Sequence, residues 1–209
     1  MSLTKNQNAY VICQTMLPIL YSLYVSVLRY KNKITHSFFI TYWFGILLSL
    51  IWQVPEAIAG NSFMKYNFNH PLEGYSHIFS AIIDGIIFHS GLYLAHVYTK
   101  RRFCGLAELG MLIFWCLGIQ FFSQLIFNNT YWKYTENNKY NMEVFKTGGI
   151  HHMAVPYLIW IIFSIFYLTG AYSLSDKYGK LYIDYLGGMR DVLQSNDSLY
   201  MSSTSIVKL

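Results

Sequence analysis

Five long apolar stretches, separated by polar segments rich in Asn, Lys and Tyr, dominate the chain; they cover residues 9–28, 38–60, 77–97, 105–127 and 152–174. Each has roughly the 20 residues that an α-helix needs to cross a hydrocarbon core of about 30 Å. The pattern predicts an all-α fold: a polytopic membrane protein with a bundle of about five transmembrane helices in residues 1–174. The remaining segment, 175–209, is polar and rich in Ser and Asp, which is typical of a flexible tail.

The composition supports the membrane assignment. Hydrophobic residues make up 54% of the chain, aromatic residues 19% and charged residues only 12%. Soluble domains carry about twice that charged share, roughly a quarter of their residues. The composition therefore excludes a soluble globular domain, and 209 residues leave little chain for a domain outside the membrane.

Basic residues cluster after the first and third apolar stretches, as Arg29, Lys31 and Lys33 and as Lys100, Arg101 and Arg102. If all five stretches cross, both clusters lie on the same side. Because basic loops stay cytosolic, we expect the amino terminus outside or in a lumen and the tail in the cytosol, in the endoplasmic reticulum or another endomembrane. The net charge of +5 then reflects orientation and contact with anionic lipids, and nucleic acid is not implied.

Two acids interrupt the apolar stretches at similar depths. Glu56 and Asp84 lie roughly 6 and 10 Å from the outer ends of the second and third helices, at 1.5 Å per residue. A charge at such depth costs at least about 2.5 kcal/mol and commonly marks a functional site. We therefore take both acids as candidate catalytic residues, and Pro55 is expected to kink the second helix beside Glu56.

Other polar and aromatic side chains fall in the same outer half and are candidate ligand-binding residues: Trp52, Gln53, His77, Gln120, Gln124, His151, His152 and Trp160. Gln120 and Gln124 are four residues apart and share a helix face, while His151 and His152 are expected to open the fifth helix. The competing interpretation is that these groups only form interhelical hydrogen bonds, at about 0.6 to 2 kcal/mol each. Glu108, near the inner boundary, is expected to reach the interface.

The second helix contains Trp43 and Phe44, followed by the run Ile51, Trp52, Gln53, Val54, Pro55, Glu56. This segment resembles the emopamil-binding sterol isomerase family of the EXPERA superfamily. The resemblance implies five helices around a sterol pocket, with acids on the second and third helices that move a proton along the sterol double bond. Glu56 and Asp84 match those acids, although Trp52 stands where the family has His and Asp84 where it has Glu.

The sequence thus predicts a polar cavity in the outer half of the bundle that binds or isomerises a sterol or other membrane lipid. Two alternatives stay open: a small transporter or channel for protons or ions, where a channel would need a homo-oligomer, and a non-catalytic membrane scaffold. Phosphate-binding loops, a nucleophile elbow and zinc spacings are absent from the sequence, so no cofactor or metal is expected.

Overall fold

The computed structural model describes residues 3–98, 105–128, 130–135 and 142–174. It contains five long helices: α1 Lys5–Tyr30, α2 His36–Ala59, α3 Ser76–Tyr98, α4 Gly105–Phe127 and α5 Ala154–Leu174. All five are long and apolar enough to span a membrane. The all-α, five-helix prediction is confirmed, whereas the predicted tail at 175–209 and the second basic cluster lie outside the described residues.

Capping side chains determine where the first two helices begin. The Thr4 hydroxyl accepts a hydrogen bond from the Gln7 N–H, and the Gln7 side chain accepts one from the Thr4 N–H, so α1 begins before its apolar stretch. Thr35 caps α2 in a similar way, through the Phe38 N–H. At the other end of α2 the chain turns at Gly60, whose φ of 51° favours glycine.

The third helix is central and packs on the four others, most extensively on α2. The α2–α3 contact is close because glycines face each other: a Cβ on Gly85 would lie 2.6 Å from the Ile46 side chain, and one on Gly45 would lie 3.1 Å from the Gly85 carbonyl oxygen. The fourth helix packs between α3 and α5, α5 also packs on α2, and α1 packs on α3 and less on α2.

One end of the bundle carries extra structure, and we name it the capped end. Strand β1 (Met64–Tyr66) pairs antiparallel with β2 (Trp132–Tyr134), and β3 (Glu143–Thr147) forms a hairpin with β4 (Ile150–Met153). Short 3-10 helices occupy Gly60–Ser62 and Glu73–Tyr75.

The expected start of the fifth helix was wrong. His151 and His152 lie in β4, and α5 begins at Ala154. The physical reason is the pair Gly148 and Gly149, with φ of 57° and 86°, because consecutive residues in this conformation turn a chain into a hairpin.

The half of the bundle away from the cap is a packed core built around Leu92, Leu112, Tyr167 and Ala171, all fully buried. Glu108 is also fully buried there and accepts a hydrogen bond from the Tyr172 hydroxyl. The expectation that Glu108 reaches the interface was therefore wrong, because Tyr172 supplies a partner inside the bundle.

Candidate functional site

A cavity of about 600 Å³ lies in the capped half of the bundle. All five helices and the β1–β2 sheet contribute to its walls. Its polar and aromatic lining is Asn6, Tyr10, Gln14, Ser49, Trp52, Gln53, Glu56, Phe63, Tyr66, Ser80, Asp84, Phe88, Gln120, Ser123, Phe127, Tyr131, Trp132, Tyr134, Trp160 and Phe163. This volume falls in the range of small-molecule pockets.

Both predicted acids face this cavity. Glu56 is 8% exposed and lies one turn after Trp52 on α2, and both side chains line the cavity. Asp84 accepts one from the Gln53 amide nitrogen at 3.0 Å, and the Gln53 carbonyl contacts His77 Nδ1 at 3.1 Å. Because the carboxylate requires the amide nitrogen, the carbonyl must face His77, whose Nδ1 then carries the proton. This turn of α2 thus presents the Gln53 amide and the Glu56 carboxyl group to the cavity beside α3.

A second hydrogen-bonded chain crosses the opposite wall. The Trp160 indole N–H donates to the Gln120 carbonyl oxygen at 3.0 Å, which orients the Gln120 amide toward the Tyr134 hydroxyl at 3.2 Å. Tyr134 accepts this bond, so its own proton is available to another acceptor. Burial raises the pKa of Tyr134 and keeps the phenol neutral.

A third chain joins α1 to the cap. Leu72 N–H donates to His70 Nδ1 at 3.2 Å, so the proton of the neutral ring is on Nε2, which contacts the Gln14 carbonyl oxygen at 3.1 Å. The Gln14 amide donates in turn to the Tyr66 hydroxyl at 3.0 Å. Burial lowers the pKa of His70 and raises that of Tyr66. The Tyr10 ring, stacked on Tyr131 at 4.4 Å between centroids, adds an aromatic contact between α1 and the cap.

Six predicted site residues line the cavity: Trp52, Gln53, Glu56, Asp84, Gln120 and Trp160. His77 reaches it only through Gln53 and lines a smaller crevice nearby. Gln124 is fully buried away from the cavity, and its amide has no hydrogen-bond partner among the residues that the structure describes.

The two histidines before α5 also lie away from the cavity lining. His152 is fully buried, stacks on Phe121 and Phe145 in the hairpin, and contacts the Tyr157 hydroxyl through Nδ1 at 2.8 Å; burial lowers its pKa. His151 hydrogen-bonds Glu143 across the hairpin. Their roles in ligand binding stay predictions.

Sequence reasoning missed the contribution of α1 and of the cap, notably Tyr10, Gln14, Tyr66, Tyr131 and Tyr134. Of these residues, Gln14 was the easiest to predict from the sequence, because it is a large polar residue in an apolar stretch that contains no charge. The cap aromatics come from segments without periodicity, and only strand pairing brings them over the bundle.

The cavity ends on an aromatic floor and is open along one helix. Phe88 packs on Trp160 and Tyr167, with ring centroids 4.9 and 5.2 Å apart, and closes the cavity toward the packed core. The exposed residues of the lining all belong to α1: Asn6, Ala9 and Cys13. Two of these, Ala9 and Cys13, lie within the apolar stretch and have small side chains.

The charges of the lining are of one sign. Among the described lining residues, Glu56 and Asp84 are the only carboxylic acids, and none is a Lys or Arg. Within the described chain, no group of three or more His, Cys, Asp or Glu could hold a metal ion.

Five membrane-length apolar helices, with a polar cavity enclosed between them, define an integral, multi-pass membrane protein. No protein-family model, curated protein or solved structure matches this chain.

Proposed function

We propose that this protein binds a sterol or another lipid of comparable size in the cavity of its capped half. The observation that carries the proposal is the cavity itself: about 600 Å³, mostly apolar and aromatic, with a few polar groups converging on one region. A scaffold has no use for such a volume, since an unfilled cavity costs packing energy.

The charge of the lining narrows the ligand class. Two carboxyl groups without a basic residue disfavour the phosphate of an anionic lipid, because like charges in a medium of low dielectric constant repel strongly. The aromatic faces of Trp52 and Trp160 add a preference for neutral or cationic groups. A neutral sterol or a cationic lipid fits this lining.

The shape of the cavity favours binding over transport. An ion path needs polar groups through the bundle, whereas the cavity ends on the aromatic side chains of Phe88, Trp160 and Tyr167, which belong to the hydrophobic core. The exposed small residues of α1, Ala9 and Cys13, offer a lateral opening at membrane depth instead. A ligand dissolved in the bilayer would enter by such a route.

If the bound lipid carries an alkene, the acids suit an isomerisation. The Glu56 carboxyl would donate a proton to one alkene carbon, the indole of Trp52 would stabilise the cation, and Asp84 would accept a proton from a neighbouring carbon. The double bond moves and one proton is exchanged, so no cofactor is required. Incubation with a sterol alkene should give its positional isomer, and Glu56→Gln should abolish the conversion.

Mass spectrometry of lipids that copurify in mild detergent tests the binding proposal. Ser123 lines the cavity, so Ser123→Trp should fill it, whereas Ile126→Trp, one turn further along α4 at a 61% exposed position, should not. We expect one lipid class to be enriched with the parent protein and with Ile126→Trp, and to be lost with Ser123→Trp. Equal lipid profiles for all three proteins would contradict the proposal.

A further inference from the structure

A second, smaller cavity lies between the end of α2 and the start of α3, and we name it the crevice. It has a volume of about 200 Å³, and its walls include Glu56, Glu73 and His77. Several of its residues are exposed at the capped end, among them Asn61 and Gly74. The crevice therefore opens at the surface of the capped end, where its polar walls and its size suit several water molecules.

Glu56 belongs to both cavities. Together with Met64 and Tyr66 it lines the large cavity on one side and the crevice on the other. Asp84 and its partner Gln53 line only the large cavity. Glu56 therefore borders a space that opens at the capped end, whereas Asp84 borders only the cavity that opens along α1, although the two acids lie at similar depths along the sequence.

We propose that Glu56 is the carboxyl group that exchanges protons with the aqueous phase, that the crevice is its access route, and that Asp84 is shielded from that phase. In the exchange the O–H bond of the Glu56 carboxyl breaks, the proton passes to a water in the crevice, and the reverse transfer restores the acid. The use of this proton rests on the proposed function: after each isomerisation the proton that Asp84 has accepted must return to Glu56, and Glu56 is the acid that exchanges it with water. Whether water reaches Glu56 through the crevice does not depend on a bound ligand and can be tested without one.

Several titratable groups surround Glu56 and belong to any pH dependence of this exchange. Asp84 on α3 and Tyr134 on β2 face it from the large cavity, and Tyr66 on β1 borders both spaces. Glu73 and His77 line the crevice with it. Among the described residues that line the crevice none is a Lys or Arg, so protons, rather than anions, are the charges that this route accommodates.

Cysteine accessibility tests the route directly. In a background with Cys13→Ser, Cys104→Ser and Cys116→Ser, the variants Glu56→Cys and Asp84→Cys are treated with a small, charged, water-soluble methanethiosulfonate. Because only a thiolate in contact with water reacts, we expect Glu56→Cys to react faster by about tenfold or more. Adding Gly74→Trp should slow Glu56→Cys, because Gly74 lines the crevice at its exposed rim and a Cβ there meets no atom within 4 Å, so a large side chain can be accommodated at the mouth. Equal rates for the two thiols, or no effect of Gly74→Trp, would overturn the proposal.

Deuterium exchange covers the case in which a cysteine variant does not fold. In the parent protein at acidic pH, the infrared carboxyl bands of Glu56 and Asp84 are assigned by their loss in Glu56→Gln and Asp84→Asn. The Glu56 band should shift promptly in deuterated buffer, and the Asp84 band should lag behind. An Asp84 band that shifts as fast as the Glu56 band would contradict the shielding. If no lipid class is enriched with the purified protein, the proposed function is refuted. The order of deuterium exchange at the two carboxyl groups does not depend on that outcome.

Discussion

The two halves of the bundle are built from the same five helices, but one half is closely packed and the other encloses a cavity. Away from the cap, side chains and glycines interlock, and the buried acid Glu108 has a tyrosine partner. In the capped half the helices leave a cavity, and its polar groups are held in hydrogen-bonded chains whose ends face the empty space. A buried acid by itself does not indicate a functional site, because the packed half also contains one. The polar groups that indicate function are those that face a cavity.

The close approach of the α2 and α3 backbones at Gly85 should be the most sensitive to change. Gly85→Ala places a methyl group 2.6 Å from the Ile46 side chain and 2.7 Å from its backbone nitrogen, so α2 and α3 must move apart. We expect a loss of about 1 to 3 kcal/mol in the free energy of unfolding. Thermal unfolding in detergent would measure it, with Gly118→Ala as the matched control, because a Cβ at Gly118 meets nothing within 4 Å. Equal effects of the two substitutions would contradict the close contact of α2 and α3 at Gly85.

The buried acid of the packed half should depend on its partner. Tyr172→Phe removes the hydroxyl that donates to Glu108 and leaves that carboxyl group with one bond fewer in a fully buried position. The expected loss is about 1 to 2 kcal/mol in the free energy of unfolding, measured by the same thermal assay. Tyr24→Phe, at a 58% exposed position on α1, should change little.

In the cavity half, a substitution that removes the charge of a buried acid should impair function and leave stability nearly unchanged. Asp84→Asn keeps the volume and hydrogen-bonding capacity while it removes a charge, so stability should stay within about 1 kcal/mol of the parent or rise. Selective lipid binding, and rescue of a deletion strain, should be lost. Asp84→Leu should lower the melting temperature, because the Gln53 amide then loses its acceptor. A stable Asp84→Asn protein with full rescue would show that the charge is not needed.

The smallest expected effect is a pH dependence of the cap. Burial lowers the pKa of His70 below its ordinary value of 6.5, so the unfolded chain binds this proton more readily than the folded one. The stabilisation by neutral His70 is complete above pH 6.5 and is lost as the pH falls toward the lower folded-state value. The comparison uses two proteins that both carry His152→Gln, which removes the similar contribution of His152. Their melting temperatures should decline between pH 7 and 5, and the decline should be smaller in the protein that also carries His70→Gln. A decline unaffected by His70→Gln would exclude this residue as the cause.

Much of the bundle could be predicted from the sequence, but little of the cap. Helices of about 20 apolar residues follow from the thickness of the bilayer, so the bounds of α4 at Gly105–Phe127 coincide with its apolar stretch. The depths of Glu56 and Asp84 follow from the rise of a helix, and the two acids do face one cavity. The strands of the cap are three to five residues long and carry no period that could separate them from loops.

The sequence by itself determined the class of this protein, the number of its membrane helices and the half of the bundle that concentrates polar groups, because each follows from a property repeated along one helix. Only the tertiary structure decided which polar groups face a cavity. Gln120 and Gln124 occupy one helix face, yet only Gln120 lines the cavity, because Trp160 of another helix orients it and Gln124 is enclosed by packing. Likewise, only the folded chain distinguishes Glu56, which borders two spaces, from Asp84, which borders one. Such differences depend on contacts between distant segments, and no local pattern encodes them.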